Sequence, residues 1–352
     1  MVHILIVDDS ALYRKILSEA ATAHPGVEVT AVANGDLAMA KLAASKVDLV
    51  LLDVFMPDRN GPEVLSRIKA AYPAIPVVMV SGATGRDAQI TLNALSSGAM
   101  DFIAKPTGTS FEAGIVTLRS EIRRIVDMAR LRSTISIKPD ATISKPPSAT
   151  APPKRLTPPP FIDLLLIGVS TGGPKALAEL IPRLPAGFPV PVVIVQHMPP
   201  VFTLSLAEQL NRLSPLSVIE APARHKLKAG EVLIAPGGMH LEIVKNPDGS
   251  LETRHSEAPP VHSCRPSVDV LFESAARCGL RGSVAVVLTG MGSDGAQGVA
   301  KLKVAFPTWC IAQNSETCAV YGMPQAVVNL NLDDELLPLG DIAPRLNKIF
   351  RV

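Results

Sequence analysis

The 352-residue chain is longer than one ordinary domain and suits two. With 47% hydrophobic and 19% charged residues it can fill buried cores, which excludes a disordered protein. Its formal charge of +2 excludes a broad electrostatic footprint for nucleic acid or an anionic membrane.

Met1 leads directly into the apolar run HILIVDD, a strand pattern, so no signal peptide is expected. Residues 1–132 then alternate short strands with helical stretches. The strands are HILIV, VEVTAV, DLVLL, PVVMV and DFIA, with helices predicted over Ser10–Ala23 and Asp36–Ala44. A last helix carries Ile115, Leu118, Ile122, Ile125 and Val126 as one apolar stripe. Such alternation predicts a doubly wound parallel sheet with helices on both faces. The apolar stretch at Val47–Met56 is interrupted by Asp48 and Asp53, so no membrane insertion is expected.

Carboxylates stand where these strands end. Asp8 and Asp9 close the first strand and Asp53 the third, gathering three carboxylates on one rim, an arrangement suited to Mg²⁺. Taken singly, an Asp pair is more often a helix cap and Asp53 a turn residue. Ser81 ends the fourth strand, and Lys105 follows the fifth. An acyl phosphate needs this set: a carboxylate to attack, a metal to neutralise phosphoryl oxygens, and Lys and Ser to hold the product.

The motifs VDDS, LLDVFMPDRNG and Phe102 three residues before Lys105-Pro106 resemble those of response-regulator receiver domains. The resemblance implies a flavodoxin-like fold and Asp53 as phosphoacceptor. It also implies Asp8, Asp9 and Asp53 around Mg²⁺, Ser81 and Phe102 as switch pair, and Lys105 on the phosphate.

Residues 133–160, with PPSATAPPKRLTPPP, are too rich in Pro, Ser and Thr to pack and are expected to form a tether. From residue 161 to 352 the alternation resumes in larger units. Three strands each run into a turn bearing one member of a hydrolase triad. Asp163–Val169 delivers Ser170 in GVSTGG, Val190–Gln196 delivers His197, and Ser283–Thr289 delivers Asp294 in GMGSDG. In an open parallel sheet these positions share the rim where ligands bind. A serine hydroxyl becomes a strong nucleophile only when a His takes its proton and a carboxylate orients that His. A β-hairpin is expected over Gly230–Val244, turning at Pro236-Gly237-Gly238.

Other readings compete. GVSTGGP can also cradle phosphate, although the Walker pattern is absent. His240, after APGG, rivals His197; His225 lies in a polar stretch, and His255 and His262 on an irregular Pro-rich one. Asp269 is placed on a helix starting near Pro266. Arg265 either docks an acidic partner or forms a helix-start salt bridge. The four cysteines, Cys264, Cys278, Cys310 and Cys318, show no C-x-x-C spacing and read as free thiols in a reducing cytoplasm.

The segments IGVSTGGP, QHMPP, APGGMH, RPSVDVLFESAA and LTGMGSDGAQG resemble the catalytic domain of chemotaxis protein-glutamate methylesterases, the CheB family. The resemblance implies a Rossmann-like α/β esterase domain with Ser170 as nucleophile, His197 as general base and Asp294 as its orienting acid. The Gly290-Met291-Gly292 turn, through Met291, and the Thr171 hydroxyl are the candidate oxyanion donors. Implied substrates are methylated glutamates, and certain glutamines, on the cytoplasmic helices of chemoreceptors, with a chemotaxis histidine kinase as phosphodonor and no cofactor for the esterase. A cytoplasmic enzyme whose esterase is activated by phosphorylation of Asp53 is expected. The alternative is a phosphorylation-controlled DNA- or nucleotide-binding regulator, against which stands the lack of a basic recognition helix.

Overall fold

The computed structural model describes residues 1–57, 60–105, 111–135 and 157–352. The chain divides into two compact units, Met1–Ser144 and Lys145–Val352. Most of the expected tether at 133–160, together with Pro106, lies outside the described residues.

In the first unit the elements run β1 (Val2–Val7), α1 (Ala11–Thr22), β2 (Val27–Val32), α2 (Gly35–Ala44), β3 (Leu49–Asp53) and α3 (Gly61–Ala71). They continue with β4 (Val77–Ser81), α4 (Gly85–Ser96), β5 (Asp101–Ala104) and α5 (Phe111–Ile135). The five strands form one parallel sheet in the order β2-β1-β3-β4-β5. Central strands β3 and β4 are buried at every position, as continuous apolar runs require when helices cover both faces. Local signals start the helices. Ser10, Asn34 and Asn60 each accept a backbone N–H as N-cap, and Thr84 forms a reciprocal capping box with Asp87. Leu118, Ile122, Ile125 and Val126 of the predicted stripe are buried, Ile115 half-buried. α5 runs to Ile135.

In the second unit the elements begin β6 (Leu164–Val169), α6 (Gly173–Leu180), β7 (Val192–Gln196), α7 (Phe202–Leu213), β8 (Ser217–Glu220) and β9 (Glu231–Ile234). There follow β10 (His240–Lys245), β11 (Leu251–Ser256), α8 (Val268–Ala276), β12 (Ser283–Val287) and α9 (Ala296–Ala305). The last are β13 (Thr308–Gln313), α10 (Met323–Asn329), β14 (Glu335–Leu337) and α11 (Leu339–Phe350). Seven strands form a parallel sheet, β14-β13-β12-β6-β7-β9-β8. Strands β6, β7, β12 and β13 are buried throughout. Leu166, Val195, Leu233, Leu271, Phe272 and Val299 belong to the core cluster that joins this sheet to α8 and α9.

The expected hairpin over Gly230–Val244 is corrected. β9 joins the main sheet in parallel with β7 and β8, while β10 pairs antiparallel with β11, register His240↔Ser256 to Lys245↔Leu251. The hairpin turn is therefore at Asp248-Gly249, where Gly249 has φ +84°. Pro236-Gly237-Gly238 instead carries the chain from one sheet to the other. VLI of β9 is apolar on successive residues because both its faces are buried, a distinction that periodicity over four residues cannot make.

Candidate functional site

The second unit changes winding direction at β6, which lies between β12 and β7. Register aligns Val287 with Gly168 and Val169 with Gln196, so the ends of all three strands stand side by side. This is the topological switch point at which open α/β sheets bind ligands.

Ser170 leaves β6 in a turn held at both backbone ends. Its N–H donates to the Thr289 carbonyl at 3.0 Å, and its own carbonyl accepts from Gly173 N–H at 2.8 Å and from Gln196 Nε2 at 2.9 Å. The turn needs Gly172 at φ +76°, where a Cβ would also approach Ala319 Cβ to 2.5 Å. A Cβ on Gly290 would lie 2.7 Å from Ser170 Cβ, so the turn after β12 is packed directly against Ser170. Ser170 is 7% exposed, and α6 starts beyond it without a side-chain cap.

His197 follows β7, its N–H bonded to the Val169 carbonyl at 3.1 Å. Its Nε2 lies 2.8 Å from Asp294 Oδ2 and its Nδ1 3.5 Å from Cys264 Sγ. Among the described residues no hydrogen bond joins the Ser170 hydroxyl to His197. The Gln196 amide spans the two turns, donating to the carbonyls of Ser170 at 2.9 Å and His197 at 3.2 Å.

Asp294 is seated in the amino terminus of α8. Its Oδ1 accepts from Ser267 Oγ and Asp269 N–H, both at 2.9 Å, and Oδ2 from Val268 N–H at 2.7 Å. Ser267 is also the N-cap of α8. Burial alone would raise the Asp294 carboxyl, but His197 and the two backbone N–H groups hold it at about 2. Burial conversely would lower the His197 imidazole, and the Asp294 hydrogen bond, with Cys264 second, lifts it to about 9. Asp269 in turn accepts Gly295 N–H at 2.9 Å and Gly298 N–H at 2.6 Å, capping α9 and fixing the loop that carries Asp294.

Other expected residues find their places. The Gly290 N–H is committed to the Val320 carbonyl at 3.0 Å, which removes it from the candidate oxyanion donors and leaves Met291 and Gly292 in that turn. Among the described residues the Met291 N–H has no hydrogen-bond partner. Thr171 is buried, its carbonyl accepting from Thr289 Oγ1 at 2.9 Å. His240 is fully buried between the Pro259 carbonyl and Ser267 N–H, a structural role. His255 lies in β11 rather than on an irregular segment. Arg265 donates to the carbonyls of Glu257 and Ala258, and among the described residues it pairs with no carboxylate. Asp269 lies in the first turn of α8, as its placement near Pro266 anticipated. Cys264, Ser267, Asp269 and Gln196 are the site residues that sequence reasoning did not assign.

In the first unit Lys105 Nζ lies 2.8 Å from Asp53 Oδ1, 3.0 Å from Asp8 Oδ2 and 4.4 Å from the Tyr13 ring centroid. Burial pushes the Asp53 carboxyl up to about 6 against the pull of Lys105, with the Asp8 charge adding to the rise. Oxygens of Asp8, Asp9 and Asp53 come within 4.8 Å of one another, with Lys105 shared between Asp8 and Asp53. Three carboxylates gathered at one rim fit a hard divalent cation. Ser81 Oγ accepts from Thr91 Oγ1 at 2.7 Å and donates to the Gly82 carbonyl, while Phe102 is turned inward and buried. Asp58 and Arg59 of the LLDVFMPDRNG motif lie outside the described residues.

Fold and sites together define a receiver unit followed by an α/β hydrolase unit, and comparison with known proteins agrees. Residues 4–111 match the response regulator receiver domain model and residues 165–346 the CheB methylesterase model. The chain is 41% identical to the protein-glutamate methylesterase/protein-glutamine glutaminase of Symbiobacterium thermophilum, over 99% of this chain and 96% of that protein. It is 42% identical to the protein of the same name from Geobacillus kaustophilus, over 97% of each. The crystal structure of the Thermotoga maritima CheB methylesterase catalytic domain superposes with a TM-score of 0.52 at 41% identity, covering 55% of this chain and all of that one. The chain therefore belongs to the protein-glutamate methylesterase/protein-glutamine glutaminase family. As a receiver domain, the first unit has a phosphorylation site of the Mg²⁺-binding kind. Among the described residues no helix is long and apolar enough to cross a membrane.

Proposed function

We propose that the chain hydrolyses methyl esters of glutamate side chains, and deamidates glutamine side chains, on the cytoplasmic helices of chemoreceptors. Ser170 Oγ attacks the γ-carbonyl as His197 Nδ1 takes its proton. Asp294, bonded to Nε2, holds the ring in the tautomer that puts the basic lone pair on Nδ1 and stabilises the imidazolium that forms. The Met291 N–H, the Thr171 hydroxyl and the open amino terminus of α6 face the developing oxyanion; such a donor is worth about 3–4 kcal/mol. The imidazolium gives its proton to the leaving oxygen, releasing methanol, or to the leaving amide nitrogen of a glutamine, releasing ammonia. Water activated at Nδ1 then releases the acyl group from Ser170.

Phosphorylation of Asp53 by a chemotaxis histidine kinase raises this activity. Asp8, Asp9 and Asp53 would hold Mg²⁺, which when bound neutralises the phosphoryl oxygens. Lys105 pairs with the phosphorylated carboxylate, and Ser81 and Phe102 rearrange with it, a population shift toward the active form.

The observation that carries the reading is the 2.8 Å His197–Asp294 pair one strand from Ser170 at the switch point. A DNA- or nucleotide-binding output is not favoured, because residues 165–346 match the methylesterase model instead. The test is methanol release from methylated chemoreceptor membranes, with and without acetyl phosphate and Mg²⁺. Release that needs Ser170 and rises with phosphodonor supports both halves. Release indifferent to phosphodonor removes the switch, and no release removes the esterase.

A further inference from the structure

His197 has two ring nitrogens and the structure occupies both. Nε2 faces Asp294, whose carboxylate is held ionised by four donors, so Nε2 carries the hydrogen and Nδ1 is the basic atom. The atom standing at Nδ1 is Cys264 Sγ, at 3.5 Å, a normal distance for a sulfur hydrogen bond. With the ring held protonated up to about 9, Nδ1–H donates to this sulfur, and a protonated Nδ1 is not yet available to Ser170.

The placement of Cys264 is tightly determined. Val261 and Cys264 exchange both backbone hydrogen bonds, at 3.1 and 2.8 Å, across a two-residue turn. His262 and Ser263 in that turn have φ of +50° and +62°, left-handed values usually left to Gly or Asn. His262 Nε2 lies 3.2 Å from Asp269 Oδ2, and Asp269 fixes the Asp294 loop through Gly295 and Gly298. One turn is thus tied to both ends of the His197–Asp294 pair.

We propose that Cys264 is a positioning residue for the esterase reaction: its sulfur holds the His197 ring through Nδ1 and controls when that nitrogen can receive the Ser170 proton. The inference rests on the methylesterase reading and adds a residue to it. Titratable groups around His197 are Asp294 on Nε2, Cys264 on Nδ1, Asp269 and His262 behind Asp294, and His240 against the α8 cap. Of these, Asp294 and Cys264 act on the ring directly, and both favour its protonated form. Removing the sulfur therefore makes the imidazole easier to deprotonate and frees the base at lower pH.

The experiment follows His197 in full-length protein labelled with ¹³C in its histidine rings, beside the pH profile of methanol release. Cys264→Ala is expected to lower the His197 titration midpoint and the acid limb of kcat/KM together, by about one pH unit. KM should stay within about twofold, and the plateau kcat should fall because the ring is less well held. Cys264→Ser, which restores a hydrogen-bonding group of similar size, should recover most of that plateau rate. A merely structural role would reduce activity equally at every pH and leave the midpoint where it was; that result overturns the proposal. If the wild type releases no methanol, the methylesterase reading fails, while the His197 midpoint still decides whether Cys264 engages the ring.

Discussion

Asp53 and Asp294 are both carboxylates on the carboxyl rim of a parallel sheet, and both are buried, at 3% and 2% exposure. Their chemistry is opposite. Asp53 is pushed up to about 6, whereas Asp294 is held at about 2. Burial acts in the same direction on both, so the difference comes from donors. Asp294 receives a hydroxyl, two backbone N–H groups at the start of a helix and the imidazole. Hydrogen bonds to a charged acceptor contribute about 1.5–3 kcal/mol each, enough together to outweigh desolvation. Asp53 has Lys105, shared with Asp8, and the Phe55 backbone N–H. The first arrangement makes an anion that stays fixed while a neighbour reacts. The second keeps a carboxylate under-satisfied, open to a metal and to a phosphoryl group.

The largest effect expected is at the nucleophile. Ser170→Ala should lower methanol release by at least about a thousandfold while leaving thermal unfolding near wild type, since among the described residues the hydroxyl removed has no hydrogen-bond partner. Asp294→Asn comes next. It keeps an acceptor for Ser267 but cannot hold Nε2–H in place, and should lower kcat by about a thousandfold. An Asn at Asp294 with near-normal kcat would break the contrast drawn above. The packing of Gly290 on Ser170 predicts that Gly290→Ala displaces the nucleophile, lowering kcat roughly tenfold with a stability loss of about 1–3 kcal/mol in urea unfolding.

The smallest effect sharpens the Asp53 half. With its folded pKa raised to about 6, Asp53 is ionised above that pH and takes a proton below it, in competition with a metal. Mg²⁺ affinity, read by titration calorimetry, should weaken as pH falls from 7 to 5 by roughly tenfold. Asp53→Asn should flatten that dependence and abolish the response to acetyl phosphate. An unchanged slope in the variant would assign the titration to another group.

Much of this was legible in the chain because the signals are local. Each strand of the first unit was visible as an apolar run, and Ser10, Asn34, Asn60 and Thr84 begin helices by bonds within three residues. The strand-then-turn placements of Ser170, His197 and Asp294 pointed to one rim. The residues that were missed act across the sequence. Asp269 reaches Gly298 over 29 positions, Gln196 reaches Ser170 over 26, and Cys264 reaches His197 over 67. A Gln directly before the His of QHMPP, and a Ser at the head of α8, carried a faint signal of clamp and cap. Cys264 carried none beyond being a cysteine, and it was read as an ordinary free thiol. The hairpin was misplaced for the same reason: partners of β9 lie on strands that sequence proximity does not indicate.

The central claim is that the His197–Asp294 pair activates Ser170, and covalent trapping tests it most directly. Full-length protein treated with a fluorophosphonate and mapped by peptide mass spectrometry should carry the adduct on Ser170, with labelling strongly reduced in His197→Gln. Labelling that avoids Ser170, or that proceeds equally in His197→Gln, would contradict the account.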